Sequence, residues 1–414
     1  MSVKGTLTMP EQRTGFLQSA TKSGRRRVVA ALLLCGMTAL TPNTALAEEP
    51  GDALPSAKPN TWIPALRLGD DQKFFEVYGQ INKGFLIYDD GRSSEVYPLV
   101  DNSNSSTRAG FKAEAPVTDH AAFGVSFEFE WRAYSTTSVN RFNRTDPDVG
   151  FDTMRLRKYE GYLVTQDYGR LWVGQGSMAS DGTAEIDLSG THVVGYSKVQ
   201  DTAGGQIFAF SNTPGFSSVT VNDAFDNLDG LSRLMRLRYD SPDFAGFTLG
   251  ASVGQKVVGG IVGGAQWDVA ANYADTIGDF QIKGAAAYSR PSSDEDRLNG
   301  SLSVLHQQSG INATIAGGHA SDPGASDPEF VYAKLGYKIH FFDFGVTAFS
   351  ADIYAGHDFV TAGSHSRSYG FQAVQSLDYY RTELYLGARL YEYDDTAASY
   401  KPGLAVLTGA RIKF

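Results

Sequence analysis

The chain has 414 residues and a formal charge of −10, with 45 Gly, 25 Phe, 21 Tyr and a single Cys. That acidic balance argues against nucleic acid as a partner, which needs basic patches, and no stretch offers the ~18 consecutive apolar residues of a membrane-spanning helix. Abundant glycine and aromatic residues on short alternating segments favour an all-β chain.

Arg25, Arg26 and Arg27 precede the apolar run VVAALLLCGMTAL (28–40), and Ala45 and Ala47 give the small-residue pattern of a cleavage site before Glu48. This predicts a secretory signal peptide over 1–47. The segment holds six Lys or Arg against one Glu, so the mature chain carries −15. Cys35 leaves with it, which excludes disulfides and thiolate metal sites from the mature protein. Residues 48–73, rich in Pro and charge and without a period, read as an N-terminal extension.

From Phe74 onward the period is two. FFEVYGQINKGFLIYD (74–89) opens the series, and a polar loop is expected to about Ser105. STRAGFKAEA (106–115) sets Ala109, Phe111 and Ala113 against Arg108, Gly110, Lys112 and Glu114. FGVSFEFEWRAY (123–134) sets Val125, Phe127, Phe129 and Trp131 against Ser126, Glu128, Glu130 and Arg132. One apolar and one charged face per strand is what lipid outside and water inside demand of a membrane barrel. Strands follow at 154–166, 170–176, 231–241, 247–255, 265–275, 279–290, 297–308, 310–320, 329–341, 342–354, 366–377, 380–393 and 403–414. They number sixteen. Short turns (167–169, 276–278, 309) alternate with long connections (135–153, 177–230, 394–402), as in a barrel with one rim of turns and one of loops.

The longest connection, 177–230, holds 54 residues, in which Asp181, Glu185, Asp187, Asp201, Asp223, Asp226 and Asp229 face a single Lys198. A loop of that length inside a compact domain points to function. The strand after it carries Arg236 and Arg238 on the face opposite Met235, Leu237 and Tyr239.

VYGQIN (77–82), DNSNSSTRAGFKAE (101–114), DYGRLWVGQ (167–175), LRYDSPDFAGFTL (237–249) and the terminal RIKF (411–414) fall in the order of the general-porin superfamily of Gram-negative bacteria, which the chain resembles from Val77 to Phe414. The resemblance implies an all-β, 16-stranded antiparallel transmembrane barrel, trimeric, whose third external loop folds into the pore opposite arginines. It implies a pore arginine at Arg108, and one at the position of Leu156, where this chain has Arg155 and Arg157 on either side. A bulge or register change would decide which of those two enters the lumen. Arg236 and Arg238 complete the wall, and Asp181, Glu185 and Asp187 are the candidate acids of the loop. Phe414 is implied as the C-terminal signal for barrel assembly.

Acids on a loop across from arginines on a wall would set a transverse field, focused by low-dielectric walls, through which small hydrophilic solutes and ions pass by width and charge. The expected function is therefore a passive diffusion channel of the outer membrane, touching lipid and lipopolysaccharide, with no catalytic residue, cofactor or metal. A structural or adhesive barrel, or a barrel hydrolase, is the alternative. A hydrolase needs a nucleophile with a base in reach, and Ser189–His192 is the nearest such pair.

Overall fold

Alternation along each strand decides what faces where. The computed structural model describes residues 62, 66–144, 153–257, 263–291, 295–321 and 326–414. The expected signal peptide over 1–47 lies outside these residues, as does most of the stretch 48–73. Within that stretch β1 (Leu66–Gly69) forms a hairpin with β2 (Phe74–Asp89), Leu66 opposite Val77. Trp62 donates its amide to the Tyr379 carbonyl at 2.9 Å.

The edge of β2 is shared by two strands. β3 (Ser94–Asp101) pairs with its second half and β4 (Arg108–Thr118) with its first. The polar loop expected from 89 to 105 is thus largely a strand. Its period is hidden by Pro98, which cannot donate to a ladder, and by Leu99, whose φ of 56° breaks the pleat. Between β3 and β4 the chain dips inward. There Gln80 Nε2 donates to the Ser106 carbonyl at 2.7 Å, Asn82 Nδ2 to the Ser105 carbonyl at 2.7 Å, and Arg411 Nη1 to Ser105 Oγ at 2.7 Å.

The wall continues through β5 (Ala121–Trp131), β6 (Met154–Thr165) and β7 (Gly169–Ser177). The long loop that follows carries a small hairpin, β8 (Ile207–Ala209) with β9 (Phe216–Thr220), and one helical turn, α1 (Val221–Ala224). β10 (Arg233–Asp240) then pairs back onto β7. After it come β11 (Phe247–Gln255), β12 (Gln266–Ile277), β13 (Phe280–Arg290), β14 (Asp296–His306) and β15 (Ile311–Ser321). β16 (Glu329–Phe342), β17 (Gly345–His357), β18 (His365–Leu377), β19 (Thr382–Asp394) and β20 (Gly403–Lys413) complete the chain. β20 pairs with β2, so β2, β4 to β7 and β10 to β20 form a closed barrel of sixteen antiparallel strands.

Outward positions are apolar: Leu237, Val253, Ile315, Leu335, Ile353 and Leu386 all stand exposed. So large an apolar surface is a liability in water; in lipid it is the spanning belt. Tyr168, Phe244, Phe280, Phe341, Phe344 and Tyr379 are exposed beside the short turns and form an aromatic girdle at that rim.

The seam between β2 and β20 is extended by the last residue. Phe414 and Gly79 exchange both backbone hydrogen bonds, at 3.1 and 3.0 Å. A Cβ on Gly79 would lie 2.5 Å from the Phe414 ring and 2.8 Å from the Arg108 carbonyl oxygen. The Gly79→Val variant should therefore lose roughly 1–3 kcal/mol through overpacking. Its folded band on unboiled gels should disappear at a lower temperature than that of the wild type.

Candidate functional site

The loop between Ser177 and Arg233 lies inside the barrel. On its way out it is pinned to the inner wall strand by strand. Ala179 N donates to Ser252 Oγ on β11 at 2.9 Å, and Ser180 N to Asp268 on β12 at 2.9 Å. Ile186 and Leu188 donate their amides to Ser301 and Ser303 on β14, each at 3.0 Å. Thr191 meets Ser350 on β17 at 2.7 Å, and Tyr391 on β19 donates to the Val199 carbonyl at 2.7 Å.

It returns along the same side. Tyr354 on β17 donates to the Asp226 carbonyl at 2.6 Å, Asn299 Nδ2 on β14 to the Leu228 carbonyl at 2.6 Å, and Leu231 N to Ser180 Oγ at 2.7 Å. Helix α1 is fixed by a capping box, Thr220 with Asp223. Phe208, Phe225, Tyr391 and Tyr393 are buried between loop and wall.

The strands from β4 to β10 carry a bank of charge instead. On β6 the register slips by one residue opposite β5: Glu128 pairs with Lys158 and Phe129 with Leu156. This is a bulge at Arg157, and it lets both arginines, not one of the two, share the face of Glu128 and Glu130. Leu156 stays opposite Phe129, Arg155 lies across from Glu130, and Arg157 also faces the lumen. Arg157 Nε donates to Glu128 at 2.5 Å and its Nη1 to Glu130 at 2.8 Å. Arg108 Nε stands 3.9 Å from Glu128, and Arg132 Nε 2.7 Å from Glu130. Two glutamates thus hold several guanidinium groups with little side-chain freedom left.

Arg236 and Arg238 project inward from β10 as the alternation predicts, while Met235, Leu237 and Tyr239 are exposed outside. Arg236 reaches Glu160 on β6 at 2.7 Å and the Ser177 carbonyl at 2.7 Å. A Cβ on Gly176 would sit 1.9 Å from Glu160 Oε2 and 2.9 Å from Arg236 Nη2, so a side chain there would displace the ends of this pair. Arg238 binds Asp240 at 2.9 Å and the Met178 carbonyl at 2.9 Å, which ties the root of the loop to the bank.

The loop acids take different surroundings. Asp181 is 3.4 Å from Arg233, next to the bank. Asp187 is not brought there; it forms a 2.7 Å ion pair with Lys334 on β16, both side chains almost wholly buried. Lys334 also donates to the Gly195 carbonyl at 2.8 Å. Glu185 accepts from Asn227 Nδ2 at 3.1 Å inside the loop. Asp229 accepts from the amides of Ala184 and Gly182 at 2.9 and 2.8 Å. Ser189 and Thr191 share a hydroxyl contact of 2.9 Å that continues to Ser350, so Ser189 helps fasten the loop. His192 stacks on Tyr196, ring centroids 4.2 Å apart.

Burial raises the carboxyl of Glu185, reinforced by Asp229, and raises that of Asp229, reinforced by Asp181. Burial works the same way on Asp187, but Lys334 and His192 outweigh it and hold that carboxyl low. An acid raised in the folded loop stabilises it fully below the unfolded carboxylate value and loses that contribution as pH climbs through the raised value. The loop should therefore hold more firmly on acidification from neutral pH. Protection of loop amides, after correction for the intrinsic pH dependence of exchange, should rise between pH 8 and pH 5, and Glu185→Gln should remove part of that rise. Equal exchange in the two proteins at both pH values would refute this.

Lys334, Glu128, Glu130 and Glu160 are parts of the site that sequence reasoning missed. Glu128 and Glu130 were legible as inward residues of β5, and Lys334 shares the inward face of β16 with Tyr332 and Gly336. The partner of each is set only by the fold.

Among solved structures the fold matches an anion-selective porin from Comamonas acidovorans, at 14% identity over 83% of this chain and 100% of that one, with a TM-score of 0.57. OmpF of Salmonella typhi, in complex with daunomycin, matches at 13% over 84% and 100% with a TM-score of 0.55. OmpT of Vibrio cholerae matches at 12% over 84% and 99% with a TM-score of 0.53. No curated protein matches the sequence. The family model for Gram-negative porins matches residues 31–396. With most of its length matched and a closed sixteen-stranded barrel, this chain belongs to the Gram-negative porins, the channel proteins of the bacterial outer membrane.

Proposed function

We propose that the protein is a passive diffusion channel for ions and small hydrophilic solutes, narrowed by the loop 177–232 and lined opposite it by the arginine bank. The observation that carries this reading is the asymmetry of the lumen. The loop is fastened to the wall from β11 to β19 and reaches across to Asn102 ahead of β4, while Arg108, Arg155, Arg157, Arg236 and Arg238 occupy the wall from β4 to β10. Arg keeps its charge in a crowd of like charges, and Asp181 beside Arg233 supplies the acid nearest the bank. In this reading Glu185 and Asp187 hold the loop in place and contribute less to the field. Their buried surroundings support that division of labour.

Three further elements belong to the proposal. The chain is exported by its signal peptide and cleaved after Ala47. It assembles as a homotrimer, a form in which the Vibrio cholerae OmpT has been solved, with its outer face against lipid and lipopolysaccharide. Phe414 serves as the recognition signal for assembly, in keeping with its place at the closing seam.

Purified protein in a planar bilayer should give stepwise, ohmic openings with a reversal potential in a salt gradient that moves when Arg155→Ala is introduced. A folded barrel with no conductance would reject the channel reading. Ester hydrolysis by the folded protein in detergent would favour the hydrolase instead.

A further inference from the structure

At the long-loop rim, cross-strand register lines up five polar residues on the outer face. His319, Glu329, His357, His365 and Asp394 are successive partners across β15, β16, β17, β18 and β19. All five are exposed. Directly opposed residues of antiparallel strands share one face and lie within side-chain reach. At the centre of the row the two imidazoles meet: Nδ1 of His357 and Nδ1 of His365 are 3.0 Å apart, with ring centroids at 4.7 Å and planes at 88°.

We propose that His357 and His365 form a surface chelate for a divalent transition-metal ion of the Ni²⁺ or Cu²⁺ class. Imidazole nitrogens suit these ions. With metal–nitrogen bonds of ~2.0–2.1 Å, two nitrogens 3.0 Å apart subtend about 90° at the metal. That is the angle between adjacent ligands of a square-planar or octahedral ion. A tetrahedral Zn²⁺ site would require the rings to open to roughly 3.4 Å at the same bond length.

The pair is also held ready. The connection above it is tight: Asp358 N donates to the Ser364 carbonyl at 3.0 Å, Gly363 N to Asp358 Oδ1 at 2.6 Å, and Ser364 N to the Thr361 carbonyl at 2.9 Å. Little ordering is left for a metal to impose, which favours binding. Among the described residues no three His, Cys, Asp or Glu side chains converge as a ready metal cage. Two protein ligands completed by water is therefore the stoichiometry expected. Glu329 and Asp394 flank the histidines in the row, and their negative charge favours a dication at short range.

The rival account is that the two rings share a plain N–H···N hydrogen bond and bind nothing. Calorimetric titration of tag-free, folded protein in detergent with NiCl₂ and with CuCl₂ separates the two. The proposal expects one ion per chain, nitrogen coupling from two imidazoles in the Cu²⁺ electron paramagnetic resonance spectrum, and at least a tenfold loss of affinity in H357A and in H365A. Both positions are exposed, and the folded band on unboiled gels verifies that each variant is intact. No saturable binding, or wild-type binding in both variants, overturns it. The site lies outside the lumen, so conductance should be the same with and without metal. Failure here would leave the channel reading standing.

Discussion

Lys334→Ala should release the loop from the far wall. The substitution leaves Asp187 buried without its counter-ion, and breaking a buried pair in this way costs roughly 3–5 kcal/mol. The chain has a way to relieve that cost which a closed core lacks: the loop can detach and carry Asp187 into the water of the lumen. The expected result is a channel with higher and noisier conductance, and a loop that a protease cuts in the folded barrel. The melting of the barrel itself should change little, because the sheet does not depend on the pair. Asp187→Ala in the same chain removes the stranded charge, so the double variant should recover most of the wild-type conductance and protease resistance. Two losses that simply add would show that the pair is not coupled.

The second large effect is expected at Arg157. Its guanidinium binds both Glu128 and Glu130, and Arg157→Ala would remove one positive charge from the bank and leave those two carboxylates less compensated. One unit charge acting through water at about 4 Å is worth about 1 kcal/mol. Such a change corresponds to about a fivefold shift in the cation-to-anion permeability ratio, toward cations. The reversal potential in a tenfold KCl gradient measures it directly, and the shift should shrink at high salt as the Debye length falls. Arg157→Lys should restore only part of the ratio, since an ammonium group does not match two carboxylates as a planar fork does. An unchanged reversal potential in Arg157→Ala would place the bank outside the path of the ions.

Much of the barrel was legible in the sequence because lipid and water impose opposite demands on successive residues. All sixteen wall strands, and the inward facing of Arg108, Arg236 and Arg238, follow from that alternation. Three features were not legible, each for a local reason. β3 is disguised by Pro98 and by the positive φ of Leu99. That Arg155 and Arg157 share one face rests on a bulge, which no residue pattern announces. The path of the long loop depends on backbone amides and carbonyls bound by single hydroxyl and amide side chains, which leave no period. One signal was nonetheless available. Inward positions of β14, β17 and β18 carry Ser301, Ser303, Ser350, Ser366 and Ser368, while those of β4 to β6 carry Arg108, Glu128, Glu130 and Lys158. A run of small inward hydroxyl groups, interrupted by Lys334, Asp352 and Arg389, marks the wall that receives a backbone.

The pairing of Gly79 with Phe414 has a consequence for how the molecule is made. The first and last strands of the wall are partners from Gln80 with Lys413 to Asp89 with Leu404, so the sheet has two open edges until the final strand has docked. Joining residues so distant in sequence costs loop-closure entropy before any contact rewards it, and topologies dominated by such contacts form slowly. Until the seam shuts, β2 and β20 present unpaired backbone groups that invite pairing with other chains. A chain without β20 would keep nearly all its other strands and still remain an open, sticky ribbon.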